Sequence, residues 1–134
     1  MKEILRKSTQ SILAADLLIK QSYYATSVHC SYYSVYQTMA YILQYILGER
    51  DAKAWGNLEG SHNNTINRIV QAACGRDKKK ARELHKYIST LKNNRVTADY
   101  HDTIIDPTFS KEAYKSAGMI LATLNEIFEI KENP

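Results

Sequence analysis

The stretch "QSYYATSVHCSYYSVYQTMAYILQYILG", residues 21–48, contains no Asp, Glu, Lys or Arg. A run of that length without charge raises a membrane span, but its polar load argues against one. Ser22, Ser27, His29, Ser31, Ser34, Gln37, Thr38 and Gln44 lie among several tyrosines, and a bilayer core penalises such residues. The apolar positions instead form two neighbouring stripes. One is Val28, Tyr32, Val35, Met39, Ile42 and Ile46; the other is Tyr33, Tyr36, Ala40, Leu43 and Leu47. Steps of three and four return to one face of a helix. Two adjoining stripes predict a helix from about Tyr23 to Leu47, buried around more than half its girth in the middle of a bundle. Gly48, just past the last apolar residue, supplies the stop.

The flanking sequence keeps the helical period. A first helix over about residues 2–20 places Ile4, Leu5, Ile12, Ala15 and Ile19 on one side. Residues 48–60, "GERDAKAWGNLEG", read as a loop with Trp55 anchored to the core. Ser61 is the expected N-cap of a short third helix that carries Ile66, Ile69, Val70 and Ala73 and stops at Gly75. In the fourth helix Leu84, Ile88, Leu91, Arg95 and Ala98 step by four, three, four and three, which puts an arginine inside a core stripe. Pro107 breaks the pattern, and Ser110 is the expected cap of a fifth helix with Ala113, Ala117, Ile120, Leu124 and Ile127 inward. Strand alternation is absent. The expectation is all-α: an antiparallel bundle of four main helices plus a short one, in a single domain over residues 1–134.

A net charge of +4 and a pI near 9.0 permit RNA or an acidic protein as partner without demanding either. Cys30 and Cys74 fit no zinc spacing and sit in apolar helical patterns, where small buried thiols are expected. "MKEILRKSTQ" has no apolar h-region and no cleavage site, so a cytoplasmic protein without signal peptide is expected.

Most catalytic chemistries find no support. His29, His62, His85 and His101 make no metal-binding spacing, the carboxylates are scattered, and no glycine-rich phosphate loop or nucleophile elbow exists. No cofactor is implied. The stretch "NNRVTADYHD", residues 93–102, stands apart. Metal-free RNA cleavage needs a base for a ribose 2′-hydroxyl and a cation for the phosphate. Histidine and arginine supply both. On a continuous helix Arg95 and His101 lie about 120° apart, so they converge only if the helix ends near Tyr100 or if two chains share a cleft. The alternative is structural. Arg95 pairs with Asp99 four residues on, and His101 sits at a helix C-terminus, where the macrodipole favours its charged form. Lys78, Lys79 and Lys80 form a second candidate, either a phosphate-binding run or a solvated helix start.

The doubled tyrosines of "SYYATSVHCSYYSVYQTM", the "GSH" opening the third helix and the "R…ADY" of "NNRVTADYHD" together resemble the HEPN domains over about residues 8–128. The resemblance implies a bundle of four or five helices that dimerises. It also implies a metal-independent ribonuclease whose arginine and histidine are four to six residues apart, as Arg95 and His101 are. Many prokaryotic members are toxins encoded beside a minimal nucleotidyltransferase antitoxin, and some carry a modified tyrosine next to the motif. On that footing Arg95 and His101 are the catalytic candidates, Asn94, Asp99 and Tyr100 the supporting ones, and Lys78–Lys80 the RNA-binding ones. Val96 stands where active members usually carry a polar residue. The other expectation from the same resemblance is a non-catalytic HEPN module that docks a nucleotidyltransferase or binds a nucleotide.

Overall fold

The computed structural model describes residues 1–49 and 61–131. Five helices make up these residues: α1 (Glu3–Lys20), α2 (Tyr24–Tyr41), α3 (Ser61–Cys74), α4 (Lys78–Tyr100) and α5 (Pro107–Phe128). The all-α class and the charge-free central helix are as expected. α2 touches each of the other four helices, and one core draws side chains from all five. Val28, Tyr32, Val35 and Met39 on α2, and Ile42 just after it, are fully buried. Among the described residues no helix is long and apolar enough to cross a membrane.

Part of the polar load of residues 21–48 is absorbed by packing against α1, while Ser34 Oγ donates to the Ser31 carbonyl within α2 and Ser31 Oγ is buried with no partner among the described residues. Ser8 Oγ donates to the carbonyl of Ser34 at 2.7 Å and lies 2.6 Å from Thr38 Oγ1, while Ser27 Oγ donates to the carbonyl of Ala15 at 2.7 Å. Ser11 Oγ adds a 2.8 Å bond to Gln37 Oε1. Buried hydroxyls that find carbonyls on the facing helix cost little, and small side chains bring the two backbones close. The pairing of 8 with 34 and 38, and of 15 with 27, shows that α1 and α2 run antiparallel. Ser22, at φ 65°, makes the tight turn between them.

Several local expectations are corrected. α2 is not one continuous α-helix: Ile42–Ile46 form a π-helical turn, with Leu47 N–H bonded to the Ile42 carbonyl at 2.8 Å. Gly48 does end the element, at φ 76°. Ser61 is itself helical and buried rather than a cap. α5 begins at Pro107, not after Ser110, because Pro at the first position loses no helical hydrogen bond and the Asp106 carboxylate accepts from Phe109 N–H at 2.8 Å. Ser110 instead sits fully buried, its hydroxyl donating to the Tyr24 carbonyl at 3.2 Å. Phe128, rather than Ile127, is the buried residue at the end of the α5 stripe. Cys30 is half-buried and Cys74 exposed, so the buried-thiol expectation fails at Cys74; both are free. Trp55 lies outside the described residues.

The α1–α2 seam generates a test. Ala15 is completely buried against α2. Ala15→Leu should force the helices apart and cost about 1–3 kcal/mol, read as a lower urea midpoint with helical circular dichroism retained.

Candidate functional site

On α2, His29, Tyr32, Tyr33 and Tyr36 fall at i, i+3, i+4 and i+7, one face of a helix. α4 runs antiparallel along that face, which sets Arg95 opposite Tyr32 and Asp99 opposite His29. The first turn of α3 brings His62 to the same place.

Arg95 occupies the stripe of Leu84, Ile88 and Leu91, and its side chain is only 9% exposed. Its guanidinium carbon lies 5.1 Å from the Tyr32 ring centre, 5.7 Å from that of Tyr33 and 6.0 Å from that of Tyr100. Aromatic faces are what a desolvated guanidinium accepts in place of water. Its ion pair is loose: Nη1 stands 3.6 Å from Asp99 Oδ2. That same oxygen is 2.8 Å from His29 Nδ1, so the carboxylate is shared. Arg95 Nε is buried with no hydrogen-bond partner among the described residues.

His62 completes the cluster. Its ring stacks on Tyr36 at 4.2 Å and 24°, and its Nδ1 lies 2.7 Å from Tyr32 Oη. Burial pushes the Tyr32 phenol well above its ordinary value, and the neighbouring Arg95 cation offsets part of that rise. Burial also raises Tyr33, again against Arg95. Burial lowers His62 below the ordinary histidine value, helped by the Arg95 and Lys92 cations. The Cys30 thiol is raised by burial and by Asp99. His29, Asp99, Arg95, Tyr32 and His62 therefore form a chain of polar contacts across α2, α3 and α4.

Of the residues singled out from sequence, Arg95, Asp99 and Tyr100 come together. Asn94, the position before Arg95 on α4, is half-buried and makes no side-chain hydrogen bond among the described residues. α4 ends at Tyr100, and His101 turns into extended backbone at φ −85° and ψ 141°, its N–H on the Thr97 carbonyl. The His101 imidazole is exposed and makes no hydrogen bond, ion pair or ring contact among the described residues. Lys78, Lys79 and Lys80 stand at the opposite end of α4, seventeen positions from 78 to 95, or about 26 Å along the axis. Asp77 caps that end through Lys80 N–H, and Lys80 Nζ pairs with Glu126. The structure thus does not gather the lysine run with Arg95 within one chain.

Sequence reasoning assigned no site role to His29, the three tyrosines or His62. The signal was present in the H-x-x-Y-Y-x-x-Y spacing. It becomes a site only once α3 and α4 are known to pack on that face. His85 is exposed on α4. Among the described residues no group of three or more His, Cys, Asp or Glu is placed to hold a metal ion.

Two measurements follow from this geometry. Asp99→Ala takes the shared acceptor from His29 and the buried guanidinium, and should cost about 1–3 kcal/mol by urea unfolding. His62 binds its proton less readily folded than unfolded, so stability should be lost as pH falls below about 6.5 and through the lowered folded value. His62→Gln should flatten that decline between pH 7.5 and 5; an unchanged slope would show that His62 does not contribute to it.

No protein-family model, no curated protein and no solved structure matches this chain.

Proposed function

We propose that the chain is a HEPN-type metal-independent ribonuclease acting as a homodimer, the toxin of a toxin–antitoxin pair whose antitoxin is a nucleotidyltransferase. The supporting observation is the state of Arg95. A guanidinium carries five N–H donors. Here it is held in place by stacking, one 3.6 Å ion pair and a polar contact with the Tyr32 hydroxyl, with Nε unpartnered among the described residues. It is positioned yet under-bonded, the condition in which a phosphate oxygen adds most. Tyr100, whose ring centre is 6.0 Å from the guanidinium carbon, is 74% exposed. In this reading Arg95 neutralises the scissile phosphate, Asp99 orients Arg95, and Asn94 contacts the substrate. His101 exchanges a proton with the reacting oxygens. The lysines at 78–80 attract RNA to the far end of α4.

A second reading is favoured by the 7% exposure of Arg95 and the separate, solvated His101. It is a non-catalytic HEPN module, with Arg95–Asp99 as a structural tie and a nucleotidyltransferase docked on the surface. The two part cleanly. His101→Ala should reduce RNA cleavage by the purified protein about 10²–10⁴-fold and relieve growth arrest, with helicity unchanged. Full toxicity in that variant rejects its catalytic role, and no cleavage by the unsubstituted protein, with stable partner binding, favours the second reading.

A further inference from the structure

We propose that His62, contributed by α3, is a second catalytic histidine of the Arg95 site and acts as the general base, with His101 as the acid. The inference rests on the ribonuclease reading above and concerns which groups move the protons.

The geometry favours His62 over His101 for the base. A general base works from a fixed position and must be unprotonated at the working pH. His62 meets the first condition through two constraints, its stack on Tyr36 at 4.2 Å and its 2.7 Å contact with Tyr32 Oη. The charged groups facing it meet the second. Arg95 and Lys92 on α4 both disfavour an imidazolium, and from α2 it is faced by the neutral phenols Tyr32, Tyr33 and Tyr36. Nδ1 is occupied by Tyr32. Nε2 makes no hydrogen bond among the described residues. With Nδ1–H donating to Tyr32 Oη, Nε2 carries the free lone pair. The tautomer needed by a base is thus the one in which the buried phenol oxygen serves as acceptor. The phenol also lies under the Arg95 guanidinium, which ties the base to the phosphate-binding group through a single ring.

His62 Nε2 takes the proton of a ribose 2′-hydroxyl. The 2′ oxygen forms a bond to the adjacent phosphorus, whose anionic oxygens face Arg95. The bond from phosphorus to the 5′ oxygen breaks, and that oxygen takes a proton from the His101 imidazolium. The products are a 2′,3′-cyclic phosphate and a 5′-hydroxyl. In this proposal base and acid come from different elements, α3 and the residue that follows α4.

The test uses the full chain and a fluorescent single-stranded RNA, with rates taken from pH 4.5 to 9. The unsubstituted protein should lose rate on the acid side with a midpoint below the ordinary histidine value of about 6.5. His62→Ala should cut the rate about 100-fold or more and abolish that acid limb. His62→Gln, which can still bond Tyr32 Oη, should be equally slow with the unfolding midpoint at neutral pH preserved, and it decides the matter if His62→Ala does not fold. His101→Ala should slow the reaction while leaving the acid limb in place. Tyr32→Phe should shift the midpoint of the acid limb, because it removes the hydrogen bond on Nδ1. Cleavage by His62→Gln at the unsubstituted rate with the acid limb intact overturns the role of His62 and leaves the ribonuclease reading standing. Absence of cleavage by the unsubstituted protein overturns both.

Discussion

A guanidinium buried between helices has to be compensated, and the compensation of Arg95 organises the middle of this bundle. An unpaired charge taken out of water costs several kcal/mol, so the surrounding side chains are constrained before any question of function arises. Tyr32 and Tyr33 supply ring faces, and Asp99 supplies the counter-charge. His29 then holds Asp99 in place from the other helix. Each of these needs α2 and α4 antiparallel and in one register. A shift of one residue would rotate Arg95 about 100° away from the tyrosines. The ion pair and the rings therefore fix the relative register of the two helices in a way that the interchangeable apolar contacts of Leu84, Ile88 and Leu91 do not.

The opposite side of α2 solves a different problem. There the seam against α1 is built from serines, a threonine and an alanine, and its hydroxyls bond facing carbonyls. Short side chains allow a close approach of the two helices. α2 can thus be surrounded on one side by large aromatic groups and on the other by small polar ones. This explains how a segment without charges lies in the middle of the bundle while carrying so many polar atoms.

The elements were legible because helical period is a local property. The stripes of α2, α4 and α5 can be read residue by residue, and so can the arginine within one of them. The π-helical turn at 42–46 was not legible, since the steps of four from Ile42 to Ile46 and from Leu43 to Leu47 read as ordinary α-helix. The start of α5 was misplaced because two capping residues, Asp106 and Ser110, compete within five positions, and only the Asp106–Pro107 pair combines a cap with a tolerated first residue. Arg95 with Asp99 was legible because four residues separate them. The partners from elsewhere were not, since His29 and Asp99 are 70 residues apart and Tyr32 and His62 are 30 apart. Sequence separation of that size is resolved only by knowing which helical faces meet.

The same physics limits what can replace Arg95. Lysine would keep the charge, but a compact ammonium lacks the plane that stacks on Tyr32 and binds water more strongly than a guanidinium does. It would enter this site at greater desolvation cost and with less compensation. A neutral side chain of similar length would relieve that cost, and buried charges replaced by well-packed apolar groups often leave a protein no less stable. Stability therefore does not by itself call for arginine at this position. What arginine adds is a buried cation stacked on Tyr32, Tyr33 and Tyr100, and in the proposed ribonuclease reading that cation is the group that meets the phosphate. The cluster holds a charged group that an apolar core would not need, and it is this feature that the proposed reading builds on at Arg95.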